Sequence, residues 1–261
     1  MKKIFLITLV FISAEFISQL NTPKYSNEFL NIGVGARSLA MSNSVITSTQ
    51  GAMSGYWNPA NLSNNKNDIQ IGLMHAEYFA GIAKYDFGSI VKKIDDKSSF
   101  GFSFLRFGVD NIPNTTDLID AQGNLNYDRI TYFSAADMAF IGSYGKKISD
   151  YLSIGGSVKI INRTAGDFAQ AWGFGLDLST TYQKNNWGFA IVARDVTSTF
   201  NVWNYQLTDE MINVFNTTGN ELPQNGLELT LPRIILGINK KYQLEENVYL
   251  LLEFISDFTR D

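Results

Sequence analysis

AWGFGLDLSTTY, residues 171–182, alternates with a period of two. Trp172, Phe174, Leu176, Leu178 and Tyr182 fall on one face of an extended chain, and Gly173, Gly175, Asp177, Ser179 and Thr181 on the other. Residues 186–194 repeat the pattern, with Trp187, Phe189, Ile191 and Ala193 opposite Gly188, Ala190, Val192 and Arg194. In 234–242, Ile234, Leu236, Ile238 and Tyr242 oppose Gly237, Asn239 and Lys241. In 82–92, Ala83, Tyr85, Phe87 and Val91 oppose Lys84, Asp86, Gly88 and Lys92. A soluble β-sandwich also alternates, but its outer face is uniformly polar. Here the faces opposite the large apolar residues hold glycine, serine and scattered charge. That is the pattern of a transmembrane β-barrel, with lipid on one side and a filled lumen on the other.

Working outward, further strands are expected near 69–77, 98–109, 132–146, 151–163 and 248–256. In 98–109, Phe100, Phe102 and Phe104 share one face, and Leu105, Phe107 and Val109 the other. Either a bulge near Phe104–Leu105 or burial of both faces at one end accounts for this. The links at 94–97, 147–150, 184–186 and 244–247 are short and polar. Those at 110–131 and 195–231 are long, the one at 164–169 is intermediate, and a short hairpin near Tyr78–Gly81 is the exception on that side. Short turns at one end and long loops at the other are the periplasmic and extracellular ends of an outer-membrane barrel. Tyr144, Tyr151, Tyr182, Trp187, Tyr242 and Tyr249 flank the short turns, as an interfacial aromatic girdle would. The reading yields about nine strands, whereas closed single-chain barrels carry an even number, so we expect a chain truncated at its C-terminus.

Composition agrees. Of the 261 residues 13% are aromatic, the net charge is −4, there is no cysteine and His75 is the one histidine. Thiol catalysis, thiolate metal sites and disulfides are excluded. Basic residues are scattered, which speaks against nucleic acid, and neither a metal nor another cofactor is expected. MKKIFLITLVFISAEFISQ opens the chain with a basic start and a short apolar run, the form of a secretory signal peptide over 1–18. No later apolar run is long enough for a spanning helix. Between the leader and the first strand lies GYWNPANL, residues 55–62, where Asn58-Pro59 signals a turn.

The quoted motifs also carry a family resemblance. Asn27 through Met41 (NEFLNIGVGARSLAM) and Gly55 through Leu62 are similar to the start of the PorV/PorQ family. So are Arg106 through Thr116 (RFGVDNIPNTT), Arg163 through Phe168 (RTAGDF) and Ala171 through Asp177 (AWGFGLD). The chain departs from the family in its length and in Asn61, where glycine is frequent. The resemblance implies a FadL-like outer-membrane barrel of about fourteen strands, incomplete here over 67–261, with a hatch segment over 19–66. It makes Gly33, Gly35, Arg37, Trp57, Asn58 and Pro59 the hatch motif. It implies a Bacteroidota-type bacterium, a non-enzymatic role in the type IX secretion system, and contact with outer-membrane lipid. The implied partners are the system's components and cargo C-terminal domains. An uptake channel for hydrophobic small molecules is the alternative.

Other motifs carry less. Gly33-Val34-Gly35 and Gly173-Phe174-Gly175 lack nucleotide-loop spacing. Asp95-Asp96 and Glu245-Glu246 sit in turns as solvated charge, and the Asn-X-Ser/Thr triplets at 61, 114 and 216 are expected by chance in an Asn-rich chain. Lys84, Asp86, Asp177 and Arg194 are assigned to the non-lipid face as lumen charges. Trp203, Tyr205, Met211 and Phe215, on the link 195–231, form a candidate partner surface that could instead pack over the barrel mouth. Thr208 is placed to cap a short helix over 208–215.

Overall fold

The computed structural model describes residues 26–115, 118, 124–219 and 221–259. The leader expected at 1–18 lies outside these residues. Among the described residues eleven strands form one antiparallel sheet: β1 (Ile69–Tyr78), β2 (Ala83–Asp95), β3 (Ser98–Asn114), β4 (Thr131–Lys147), β5 (Leu152–Ala165), β6 (Ala169–Lys184), β7 (Trp187–Arg194), β8 (Thr199–Tyr205), β9 (Gly226–Thr230), β10 (Arg233–Glu245) and β11 (Val248–Thr259). The main path runs from β1 in sequence to β7, then to β10 and β11. β1 and β11 are its edges and do not pair with each other, so the sheet is open.

The strand count exceeds the nine expected because two long strands are each broken once. β7 pairs β6 up to Ala193↔Leu178, and β8 resumes on the same strand at Phe200↔Phe174. On the neighbouring strand, β9 pairs β8 at Thr230↔Thr199, and β10 pairs β7 at Arg233↔Arg194. The breaks therefore face each other, at 195–198 and 231–232. Asp195 and Ser198 both take φ of 56°, off the extended conformation, and Pro232 has no N–H to give a ladder. The expected link 195–231 shrinks to 206–225. It holds helix α3 (Asp209–Thr218), whose N-terminus is capped by Thr208 Oγ1 accepting from Met211 N at 3.3 Å. Two shorter helices, α1 (Ala36–Ala40) and α2 (Ser54–Trp57), precede it in the N-terminal segment.

The faces of β6, β7 and β10 follow the alternation read from the sequence. Trp172, Phe174, Leu178, Phe189, Ile191, Ile234 and Leu236 are exposed, while Ala171, Asp177, Ser179, Val192, Arg194 and Asn239 are buried. So much outward apolar surface has no place on a water-soluble domain and is what a lipid-facing wall requires. Among the described residues no helix is long and apolar enough to cross a membrane; the strands form the wall. At the short end Tyr144, Tyr151, Tyr182, Trp187, Tyr242 and Tyr249 are all exposed, in a ring beside the turns. The β6–β7 turn is two residues, Asn185 and Asn186, both at positive φ, as a tight hairpin on right-twisted strands demands.

One open alternative is decided and one assignment is reversed. In β3 the ladder runs without a shift through Phe104↔Phe140 and Leu105↔Ala139, so there is no bulge at that point. Phe100, Phe102 and Phe104 face outward, whereas Leu105 and Phe107 join the interior core. In β2 the sequence-based faces are reversed. Tyr85, Phe87 and Val91 point inward and are buried, and Lys84 and Asp86 stand on the outer face. The physical reason is the same in both strands: the interior is a packed core, so apolar residues are wanted inside as well as outside.

That core is built by residues 26–65, which run through α1, α2 and three short 3-10 turns (Glu28–Asn31, Gly51–Met53 and Pro59–Asn64). Phe29, Leu30, Val34, Val45, Ile46, Tyr56 and Trp57 form one cluster with Tyr85, Phe87, Leu105, Ile141, Ile161, Val192 and Ile235 from the wall. Each large side chain so buried contributes about 1.5–3 kcal/mol relative to exposure. Contacts to this one segment come from β1 (Gly35 N to Met74 Sδ) around to β11 (Thr47 N to Glu253 Oε1), so the sheet curls about it.

Candidate functional site

The site is the interior contact between GYWNPANL and the wall. Ser54 to Trp57 make one helical turn, and Asn58 breaks it with extended φ and ψ of −158° and 99°. Pro59 then opens a 3-10 turn at the position where its missing N–H costs nothing. Asn58 is buried and uses both ends of its amide. Its Oδ1 accepts from Ala60 N at 3.0 Å, and its Nδ2 donates to Ile46 O at 2.7 Å and to Thr181 Oγ1 on β6 at 2.8 Å. An aspartate has no N–H to replace these donations.

The wall meets this turn with small hydroxyl residues and glycine. Ser179 Oγ accepts from Ala60 N at 2.9 Å, Ser63 Oγ donates to Ser153 Oγ at 2.8 Å, and Ser143 Oγ donates to Gly55 O at 3.0 Å. Gly145 and Gly155 lie so close that a Cβ on either would overlap the Pro59–Ala60 backbone. The aromatics are equally tied. Tyr56 OH donates to Leu30 O at 2.6 Å, Trp57 Nε1 to Val34 O at 2.9 Å, and Tyr85 OH on β2 to Phe29 O at 3.1 Å. Burial holds the Tyr56 phenol above its ordinary pKa, so it is a neutral donor. Arg194 of β7 donates from Nη2 to Tyr56 O at 3.3 Å, with its guanidinium over the rings of Tyr56 and Trp57 at 5.4 and 5.6 Å.

Beside Arg194 lies a cluster that sequence reasoning missed in part. Lys159 of β5 is buried and bonds both Asp177 (2.8 Å) and Asp195; Asp177 Oδ1 accepts from Asp195 N at 2.8 Å, and Thr199 Oγ1 donates to Asp195 Oδ1 at 2.5 Å. The cluster sits at the break between β7 and β8 and supplies the polar partners that the interrupted ladder lacks. The available signal was phase: Ser153, Gly155, Ser157 and Lys159 alternate with Ile154, Val158 and Ile160, which puts Lys159 inside. The cavity next to it, lined by Tyr56, Lys159, Asp177, Arg194 and Arg233, is about 20 Å³, roughly the space of one water.

The remaining candidates are dispersed. Gly33 and Gly35 take φ of 96° and 90°, and Arg37 donates to Ser48 Oγ at 3.1 Å on the exposed side of the segment. Trp203 and Tyr205 belong to β8, with ring centroids 6.0 Å apart. Trp203 lies under the Arg163 guanidinium at 5.1 Å, and Arg163 pairs with Asp137 and Glu228 across the long-loop end of the interior. Met211 and Phe215 sit on α3. The expected partner residues therefore fall on two different elements, β8 and α3. Lys84 pairs with Asp110, and Asp86 with His75, on the outer wall.

The family profile described as type IX secretion system protein PorV matches residues 18–211, which include GYWNPANL and the residues of β4 to β7 that bond it. The chain belongs to this family. The family is one of type IX secretion system proteins, and the wall of this chain is that of an outer-membrane barrel. No curated protein matches the chain. Among solved structures it is similar to a FadL homologue from Pseudomonas aeruginosa, at 12% identity and a TM-score of 0.40, over 81% of this chain and 65% of that one. It is also similar to the outer membrane transporter YddB from Escherichia coli, at 9% identity and a TM-score of 0.33, over 82% of this chain and 29% of that one. The chain thus spans just under two thirds of the first of these proteins.

Proposed function

We propose that the protein is a non-enzymatic component of the secretion system that assists export or surface attachment of proteins carrying a C-terminal sorting domain. In this reading residues 1–18 are the leader, 19–66 a fixed hatch and 67–261 the barrel wall. The observation that carries it is the segment bonded to the wall: Asn58 and Ala60 to β6 and Ser63 to β5, while the cavity beside Arg194 has room for about one water. A protein so plugged works through its rim and outer surfaces rather than as a conduit. An uptake channel for hydrophobic small molecules would need an apolar pocket beside the hatch, where this chain places serine, aspartate and lysine. The test is affinity purification from native outer membrane, combined with a deletion strain. Recovery of cargo bearing the C-terminal domain, with loss of that cargo from the cell surface on deletion, is the expected result. Unchanged secretion in the deletion strain would sink the proposal.

A further inference from the structure

At the short-turn end the outer wall carries two lysines in one register. Lys184 of β6 and Lys240 of β10 both pair with Trp187 of β7, so the row across three strands reads lysine, tryptophan, lysine. Lys240 Nζ lies over the Trp187 ring at 4.4 Å, and Lys184 Nζ over the Tyr151 ring at 5.0 Å. Cation–π contact holds an ammonium without neutralising it. Among the described residues neither lysine pairs with a carboxylate, whereas Lys93, beside the β2–β3 turn, bonds Asp96 at 2.7 Å. The Cα atoms of the two lysines stand about 10 Å apart, two strand spacings, and both flexible stems reach the space between.

Towards the middle of the wall the surface turns apolar. The next outward register is Tyr182, Phe189 and Ile238, and the one after it Thr180, Ile191 and Leu236. An open groove of about 370 Å³ lies against the first of these, lined by Tyr182, Lys184, Asn185, Trp187, Phe189 and Ile238. Its floor is aromatic, with Trp187 and Phe189 stacked at 6.2 Å and Tyr182 at 6.5 Å from Phe189. Cations at the short turns and apolar surface above them make the polarity order of a phospholipid in the periplasmic leaflet, headgroup at the turns and tail towards the bilayer centre. Two cations without a paired acid select a headgroup of net negative charge.

We infer that this groove is a binding site for one anionic phospholipid of the periplasmic leaflet, its phosphate between Lys184 and Lys240 and an acyl chain along Phe189 and Ile238. A zwitterionic lipid is disfavoured, because its own ammonium meets the same two cations. The inference rests on the barrel reading, with the short turns in the periplasm, and not on the secretion role.

The test is native mass spectrometry of the full protein extracted from outer membrane and exchanged with phosphatidylglycerol or phosphatidylethanolamine of matched acyl chains. The wild type retains the glycerol lipid in preference. Lys184→Gln and Lys240→Gln each lower that preference about fivefold, the ratio one lysine at a lipid surface sustains. Phe189→Ser weakens retention of both lipids. Lys92→Gln, at an exposed lysine near the same end of β2, leaves the preference unchanged. Heat-modifiable gel migration reports folding for each variant; should Phe189→Ser fail it, the lysine variants carry the test. Equal retention of the two lipids by the wild type would overturn the inference. So would an equal loss in Lys92→Gln, which would make the preference a matter of net charge alone. A photo-crosslinker at Ile238 captures phospholipid if the assignment is right, and capture of lipopolysaccharide or of a protein in its place sinks it.

Discussion

The Arg194 guanidinium lies over the Tyr56 ring at 5.4 Å and donates to the Tyr56 carbonyl at 3.3 Å, so one side chain of β7 holds both the ring and the backbone of the interior segment. Buried cation–π contact and a charged hydrogen bond together amount to about 2–4 kcal/mol. Arg194→Ala should lower the midpoint of thermal unfolding, followed by gel migration, more than Arg194→Lys, which keeps the charge and one donor. Equal midpoints for the two variants would mean that the charge and the donor that lysine keeps contribute nothing there.

Gly145 and Gly155 predict a steric outcome. A side chain on Gly155 enters the Pro59–Ala60 backbone, so the segment must move or the wall must open. Gly155→Val should therefore expose the 26–65 region to protease in otherwise heat-modifiable protein. Gly142→Val, on the outer face, should not. Protection of the segment in Gly155→Val would show that the wall yields instead.

Asn58→Asp removes the donors to Ile46 O and Thr181 Oγ1 and puts a buried carboxylate against the Ile46 carbonyl, which can only accept, while the Thr181 hydroxyl can turn to donate. The cost is about 3 kcal/mol or more, because the donors are lost and the carbonyl is left facing charge. Asn58→Ala should cost less than Asn58→Asp. Denaturant unfolding of the two variants checks the order, which is opposite to that expected if size alone mattered.

How much of this was legible depends on what each strand faces. β6, β7 and β10 read correctly because their inner residues are mostly small or polar, with only Val192 and Ile235 as larger apolar ones, set against large aromatic and aliphatic residues outside. β2 read in reverse because Tyr85 and Phe87 pack on Phe29 and Tyr56, partners from a segment far off in sequence, while Lys84 and Asp86 find ionic partners on the outer wall. β8 and β9 were hidden because Asp195–Ser198 and Leu231–Pro232 look like loop. They are a break in two strands, and that break is visible only when the strands are paired. Asn58-Pro59 announced its turn plainly, but nothing local showed that Thr181, Ser179 and Gly155 would receive it.

Lys159 supplies a test of the cluster at that break. It is buried between Asp177 and Asp195, so Lys159→Met leaves two carboxylates together without their cation. Removing one partner of a buried ion set typically costs about 3–5 kcal/mol, more than the intact set contributes. Adding Asp177→Asn to Lys159→Met removes one of the two stranded charges and keeps an oxygen that can still accept from Asp195 N. The double variant should then be more stable than Lys159→Met alone, and a thermal-unfolding cycle over the four proteins measures the coupling. Additive losses would mean that Lys159 and Asp177 act independently, despite the 2.8 Å between them.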